Sequence, residues 1–236
     1  MSHSRLVVLL FLLTASSFSF ADLVVNESII VYESSGSSKK DVTVFNSDEL
    51  ANLYLEVTPF KVVNPGEDDQ VMEPIDYEGT PKFLASPNRL IVGAGERATI
   101  RMLNLGKPSD VEAIYRINLV PVNPPIEFSD VEKNEVQSRL QVIIAYQVLA
   151  IVLPENPSVN IEYQRNSRLV NFTNSGNANY LLTDGEQCDP QHPDTCSILE
   201  SRRIYPGNNW SLELPYDGSA QFTVRTHEGS SSVLIK

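Results

Sequence analysis

The stretch RLQVIIAYQVLAIVLPENP, residues 139–157, joins an almost uncharged apolar run to a proline-rich exit. From Leu140 to Leu153 the run is fourteen residues long, whereas a helix that spans a membrane needs roughly 20 apolar residues. A continuous apolar run of this kind is typical of a strand that is buried on both faces. The PENPSV segment that follows stops strand and helix alike, so it predicts a linker between two domains.

Short segments rich in Val, Ile, Tyr, Leu and Thr recur on both sides of this stretch, and almost none shows helical periodicity. DVTVFN (41–46) and LYLEVTP (53–59) alternate apolar with polar residues, as strands with one solvated face do. About seven such strands before the linker suit an immunoglobulin-like sandwich, and further short strands follow it. The sequence therefore predicts an all-β protein with two immunoglobulin-like β-sandwich domains in tandem, residues 22–153 and a smaller one at 154–236.

The beginning of the chain has the three parts of a secretory signal peptide. Arg5 is followed by the apolar run LVVLLFLL (6–13) and by small residues that end at Ala21. We expect residues 1–21 to be removed, so that the mature protein starts near Asp22, is exported and is not inserted in a membrane. The formal net charge of −12 argues against a nucleic-acid partner, whose phosphates require basic patches.

The two cysteines of the chain, Cys188 and Cys196, lie eight residues apart in the turn-rich segment CDPQHPDTC. In an exported protein such a pair is most simply a disulfide bond. A metal site would need His192 between them, and three ligands from one flexible loop make a weak site. We expect a disulfide, no metal and no cofactor.

No motif in the sequence indicates an enzyme. Gly93-Ala94-Gly95 precedes a strand pattern rather than the helix of a nucleotide-binding motif, which predicts a turn. The acidic run at 66–69 lacks the ligand spacing of a calcium loop and predicts a solvated loop. His192 and His227 lie in loop-like surroundings without a neighbouring nucleophile motif. We therefore expect a protein that binds and does not catalyse.

Several segments, in order along the chain, resemble one family of exported proteins. FLASPNRLIVGAGERATIRML (83–103) with AIYRINLVPV (113–122), LQVIIAYQVLAIVLPENP (140–157), RLVNFTNSGNANYLL (168–182) and IYPG (204–207) resemble patterns of the periplasmic chaperones of the chaperone-usher pathway, which assemble bacterial pili. The cysteine pair between NSGNA and IYPG is similar to the alternate branch of that family, which serves colonisation-factor fimbriae and common pili.

The resemblance implies donor-strand complementation, in which the chaperone lends a strand to a pilin whose incomplete immunoglobulin fold lacks one. The side chains that fill the pilin groove would be Leu140, Val142 and Ile144, while Gln141 and Ile143 would face the chaperone itself. The implied partners are pilin subunits, including a tip subunit, and an outer-membrane usher. The implied location is the periplasm, and self-association of the free protein stays open.

Two positions depart from the better-known branch of the family, in which two basic residues hold the C-terminal carboxylate of the pilin. Ile29 and Leu149 stand in their places, and neither side chain can bind a carboxylate. The anchor is therefore absent, shifted in register, or displaced to another basic residue, for which Arg101 and Arg116 are candidates. For Arg116, pairing with a nearby acid is the competing role. Leu153 replaces an arginine that links the two domains, which predicts a more apolar domain contact.

A second function of a different class fits the same sequence. A secreted two-domain immunoglobulin-like adhesin, or a structural component of a pilus, would show the same strand pattern and the same signal peptide. It would bind its receptor through loops and would have no pilin client. Nothing in the sequence identifies which pilin a chaperone of this kind would serve.

Overall fold

The computed structural model describes residues 23–107, 109–122 and 144–236 of the chain. Within these ranges the backbone forms strands and turns and no helix, which confirms the all-β prediction. No helix that could cross a membrane is therefore present in the described ranges. The predicted signal peptide and the donor positions Leu140 and Val142 lie outside the described residues.

The first ten strands build a two-layered sandwich. One sheet has the order β1-β3-β8-β6, and the other has the order β2-β10-β9-β4-β5, with β7 beside β4. The strands are β1 Leu23–Val25, β2 Ile29–Tyr32, β3 Lys39–Asn46, β4 Leu53–Val63, β5 Val71–Pro74, β6 Phe83–Ser86, β7 Arg89–Val92, β8 Arg97–Asn104, β9 Ala113–Pro121 and β10 Tyr146–Val152.

The core of this sandwich follows from the alternation that the sequence shows. In β3, Val42 and Val44 are fully buried, whereas Asp41 and Thr43 face outward. The same alternation in β4 buries Leu55 between the sheets. Because successive side chains of a strand point to opposite faces, each strand contributes one row to a shared apolar core. These rows make one cluster between the two sheets.

Eight further strands build the second sandwich, with sheets of order β11-β12-β16 and β14-β13-β17-β18, and β15 beside β13. They are β11 Ile161–Asn166, β12 Leu169–Asn174, β13 Tyr180–Cys188, β14 Cys196–Leu199, β15 Arg202–Ile204, β16 Asn209–Glu213, β17 Ala220–Thr226 and β18 Gly229–Ile235. Phe172 stacks on Trp210 with ring centroids 5.4 Å apart, and Phe222 meets Phe172 edge-on at 6.0 Å. This aromatic group is the centre of a separate core.

The connection between the sandwiches includes the proline-containing segment at residues 154–159. β10 ends at Val152, β11 begins at Ile161, and no strand pairing of the described residues joins the first ten strands to the last eight. The division of the chain at residues 153 and 154 stays a prediction, since it falls inside this connection.

The two loops that the sequence singled out are a turn and a loop, as predicted. Gly93-Ala94-Gly95 joins β7 to β8, and Gly95 has a positive φ of 67°, a region that glycine adopts at little cost. The acidic run at 66–69 joins β4 to β5, where Gly66 has a φ of 83°. Gly66 also lies against the second domain, and a Cβ atom there would be 2.8 Å from the ring of Tyr205.

Candidate functional site

Strand β10 has one edge that is only partly paired. It pairs antiparallel with β9 over its whole length, from Tyr146 to Val152. On its other side β2 runs parallel to it only from Leu149 onward, where the N–H of Leu149 donates to the carbonyl of Ser28 at 2.8 Å. In the part of the chain that the structure describes, no strand pairs with this side of Tyr146–Val148. An edge of this kind offers free backbone donors and acceptors to another chain.

One face of β10 is apolar and packs in the core of the first domain. Val148 and Ala150 are buried in the first core, and Tyr146 packs against it. Ile144 has the same parity along the chain, yet 47% of its surface is exposed. Ile144 lies two residues before β10 begins and is not part of the core, so an exposed apolar side chain precedes the buried row. Val142 and Leu140, the other two predicted donor residues, lie two and four residues before Ile144 in the sequence. Their role stays a prediction.

On the opposite face of the same sheet, Arg116 lies in one row with the two positions at which the resemblance led us to expect basic residues. Ile29 of β2 lies opposite Leu149 of β10, and Leu149 lies opposite Arg116 of β9. Phe60 of β4 continues this row beyond Arg116. Side chains of directly opposed residues point to the same face of a sheet. Arg116 is thus the immediate neighbour of one of the two positions at which the resemblance led us to expect a cation.

The second candidate anchor, Arg101, lies elsewhere and has an acidic partner. It belongs to β8, in the other sheet of the sandwich, and its Nε atom donates to Asp41 at 3.0 Å. Hydrogen bonding from Arg101 is the main cause that lowers the pKa of Asp41 below its usual value. Arg101 and Arg116 face outward from different sheets, so they are on opposite sides of the first domain. The role of Arg101 as a carboxylate anchor stays a prediction, and its position in the other sheet does not favour that role.

The environment of Arg116 differs from the one expected for a structural ion pair. Among the described residues no carboxylate forms an ion pair with it. Its side chain lies on the same face of β9 as that of Ile114, which packs with Tyr205 of the second domain in one apolar cluster. Within the described part of the chain, the positive charge of Arg116 is therefore not neutralised by an adjacent acid.

The two domains meet beside this row in a small apolar cluster. Leu153, which replaces the arginine expected at this junction, is buried in it. The cluster draws side chains from both domains: Val62, Ile114, Ile151, Leu153, Ala178 and Tyr205. The contact at Leu153 is apolar, as the substitution of leucine for arginine led us to expect.

A polar group lies next to the apolar cluster and also joins the domains. Glu112 of the first domain accepts hydrogen bonds from the backbone N–H and the side-chain amide of Asn179, at 3.0 and 2.6 Å. Arg203 donates to the side-chain oxygen of the same asparagine. Burial raises the pKa of Glu112, while the bonds from Asn179 and the charge of Arg203 oppose this shift. Burial also lowers the pKa of Arg203.

Sequence reasoning missed Tyr205, Glu112 and Asn179. Tyr205 lies in the segment IYPG, whose proline and glycine predict only a turn. Glu112 and Asn179 lie in loops, where polar residues are ordinary. A local pattern reports the secondary structure around a residue, and it contains no information about a contact 67 residues away such as that of Glu112 with Asn179.

The cysteines form the predicted disulfide, which joins Cys188 to Cys196. They are opposite each other in the β13–β14 hairpin. In the described residues the only group of three possible metal-ligating side chains is Glu186 with these two cysteines. Because both sulfur atoms belong to the disulfide, they are not available as thiolate ligands.

Comparison of the sequence with family models and with curated proteins gave no match in either case. Comparison of the structure gave many. The class 5 fimbriae chaperone CfaA has 18% sequence identity, a TM-score of 0.61, and coverage of 91% of this chain and 99% of that one. The Escherichia coli chaperone DraB has 18% identity, a TM-score of 0.64, and coverage of 91% and 96%.

A third similar structure is the complex of the Salmonella enterica SafA pilin with the SafB chaperone. It matches with 14% identity, a TM-score of 0.64, and coverage of 92% of this chain and 96% of that one. The similarity extends over both domains in each case. The chain therefore has the two-domain immunoglobulin-like fold of these fimbrial chaperones.

Proposed function

We propose that the chain is a periplasmic chaperone for pilus assembly, which binds pilin subunits by donor-strand complementation and delivers them to an outer-membrane usher. The observation that carries this proposal is the edge of β10, which is only partly paired among the described residues and is preceded by the exposed apolar side chain of Ile144. The shared fold supports it, since the similar structures include SafB with the SafA pilin. The cysteine pair suits the alternate branch of the family.

The properties of the strand match what an incomplete immunoglobulin fold needs. A pilin that lacks a strand exposes an unpaired sheet edge and an apolar groove, and both favour aggregation. A donated strand supplies main-chain hydrogen bonds to the edge and alternate side chains to the groove. Burial of a side chain such as Ile144 stabilises a complex by roughly 1.5 to 3 kcal/mol. Leu140 and Val142 are proposed to fill the groove in the same way.

We propose Arg116 as the residue that binds the C-terminal carboxylate of the client. It lies in the row of Ile29 and Leu149, and no described carboxylate competes for its guanidinium. Charge-assisted hydrogen bonds between an arginine and a carboxylate are about twice as strong as neutral ones. A carboxylate held there would fix the register of the client strand along β10.

The donor-strand proposal is tested with Ile144→Asp, combined with Val142→Asp, in the full-length protein co-expressed in the periplasm with a candidate pilin. An aspartate would place a charge in the apolar groove of the client. We therefore expect recovery of the chaperone–pilin complex to fall by at least about tenfold, which corresponds to about 1.4 kcal/mol. Affinity purification from the periplasm followed by quantification of pilin measures this change.

Ile198→Asp is the matched control, because Ile198 is 91% exposed on the second domain, away from β10. It introduces the same charge and should leave complex recovery unchanged. If the Ile144 variant remains folded and still recovers wild-type amounts of pilin, the donor-strand role is wrong. A wild-type protein that brings down no pilin would favour the adhesin instead.

A further inference from the structure

Strand β5 presents two apolar side chains on the surface of the first domain. Val71 is 53% exposed and Met72 is 37% exposed, although both residues pair with β4. Met72 lies opposite Val62 of β4, and Val62 lies opposite Ile114 of β9. Opposed residues share a face of a sheet, and Arg116 is two residues from Ile114 along β9, so Met72 lies on the face that carries Arg116.

The side chain of Met72 reaches across this face to the strand with the partly paired edge. Its Sδ atom lies 3.8 Å from the Nε2 atom of Gln147 in β10, and the same nitrogen donates to Asn118 at 2.7 Å. In the sheet, β9 and β4 separate β10 from β5, which corresponds to about 14 Å in a flat sheet. The outward face is therefore concave, and in its register Arg116 and Phe60 lie between Met72 and Gln147.

The turn that leads into β5 is held by the second domain. The guanidinium of Arg202 donates to the carbonyl of Gly66 at 3.2 Å, and the side-chain amide of Asn208 donates to the carbonyl of Pro65 at 2.8 Å. A Cβ atom on Gly66 would lie 2.8 Å from Nδ2 of Asn208, so this close approach favours glycine. Contacts within the protein itself therefore position the β4–β5 hairpin that carries Met72.

A thioether at this place suits the packing of a second chain against β10. Gln147 belongs to the stretch Tyr146–Val148, beside which no described strand pairs. A strand laid along that side of β10 would bring every second side chain to the outward face, next to Gln147 and Met72. Methionine is unbranched and polarizable, so it adapts to apolar side chains of different shape. Burial of its exposed surface would favour the complex.

We propose that Met72 is a second contact of the protein with its client, against which an apolar side chain of the bound pilin packs on the outward face of the sheet. This inference rests on the proposed function and deepens it. The donor strand places its own side chains in the groove of the pilin, whereas Met72 receives a side chain of the pilin. Because a thioether accommodates different apolar side chains, one such contact serves subunits that differ in sequence at this place.

The first test is oxidation by hydrogen peroxide, which converts an exposed methionine to its sulfoxide. The full-length protein is expressed in the periplasm alone and together with a candidate pilin, and sulfoxide at Met72 is followed over time by mass spectrometry. We expect Met72 to be oxidised at least about fivefold more slowly in the complex, because the pilin covers its sulfur. Met102 is fully buried and is the internal reference, since its oxidation should be slow in both samples.

The second test is Met72→Asp, which places a charge where an apolar side chain of the pilin would pack. Recovery of pilin should fall by about three- to tenfold, and Met72→Leu, which stays apolar, should retain most of it. Leu50→Asp is the matched control, because Leu50 is 95% exposed in the loop between β3 and β4 of the same domain. It should leave recovery unchanged. Circular dichroism checks that each variant is folded.

Equal oxidation rates of Met72 in the free protein and in the complex would overturn the inference. Wild-type recovery of pilin by folded Met72→Asp would also overturn it, because coverage without a contribution to binding is not a contact of the proposed kind. Either result leaves the donor-strand proposal intact if recovery still depends on Ile144. A wild-type protein that recovers no pilin would refute the proposed function and this inference together.

Discussion

Two buried asparagines, one in each domain, donate side-chain hydrogen bonds to backbone carbonyls near the end of a strand. The side-chain amide of Asn46, at the end of β3, donates to the carbonyls of Ala51 and Val92 at 2.8 and 3.1 Å. The side-chain amide of Asn174, at the end of β12, donates to those of Ala178 and Ile204 at 3.0 and 3.1 Å. Each is fully buried and each is followed by a serine. An amide here satisfies backbone carbonyls that the end of a strand leaves without a partner.

We predict that Asn46→Ala lowers the free energy of unfolding by about 2 to 3 kcal/mol, because buried carbonyls lose their donor. Asn174→Ala should have a similar effect on the second domain. Urea unfolding followed by far-ultraviolet circular dichroism measures both. Asn52→Ala, at an exposed position near the same loop, is the control and should change stability by less than about 0.5 kcal/mol. A loss at Asn46 no larger than at Asn52 would contradict this role.

In the disulfide hairpin, strand β14 could not be predicted from the sequence. β13 begins with the apolar residues YLL, which indicate a strand, but its partner β14 is four residues long and begins at the end of the turn-rich segment CDPQHPDTC. Cys188 and Cys196 are opposed at the end of this hairpin. The pairing of the two strands is fixed by the disulfide bond and by the register of their backbones. The segment CSIL alone is too short to show the two-residue alternation that indicates a strand.

We predict that replacing both cysteines by serine lowers the free energy of unfolding of the second domain by about 2.5 kcal/mol, since the open chain gains loop entropy. Trp210 is the only tryptophan of the chain and lies in the second core, so its fluorescence reports this domain. Urea unfolding of the variant is compared with that of the oxidised wild type, in which mass measurement should find no free thiol. Equal midpoints for the two proteins would contradict the prediction.

At the scale of the whole molecule, the junction of the domains combines an apolar cluster with a partly buried acid. Glu112 is held by Asn179, and burial raises its pKa. One of its oxygens, Oε1, is buried without a hydrogen-bond partner among the described residues. The folded protein therefore retains the proton of Glu112 at a pH where the unfolded chain has released it. Its contribution to stability falls as the pH rises above the ordinary value of about 4.5.

We predict that Glu112→Gln removes this part of the pH dependence. The glutamine oxygen can still accept from Asn179, and the side chain no longer ionises. The free energy of unfolding of the variant, relative to that of the wild type, should rise between about pH 4 and about pH 7. Urea unfolding at several pH values measures it. Glu49→Gln, at an exposed position, controls for the loss of one negative charge. A constant difference between Glu112→Gln and wild type across this range would contradict the prediction.

The two candidate arginines show why the site could be predicted only in part. In the sequence, Arg101 and Arg116 are both basic residues in strand patterns and cannot be distinguished. The structure places Arg101 beside Asp41, and it places Arg116 next to Leu149 in an adjacent strand. Strand order and register depend on pairing between distant segments, and no local pattern contains this information.

The sequence by itself determined the all-β class, the two sandwiches with a proline-rich connection, the disulfide and the apolar run at residues 140–153. These features depend on the alternation of neighbouring residues, on turn residues and on cysteine spacing, all of which are local. Only the tertiary structure decided that, among the described residues, β2 pairs with only part of the β10 edge and that Arg116 lies beside Leu149. It alone brought Tyr205 of the second domain into one apolar cluster with Ile114 of the first, because contacts between distant segments arise only when both sandwiches have folded and packed against each other.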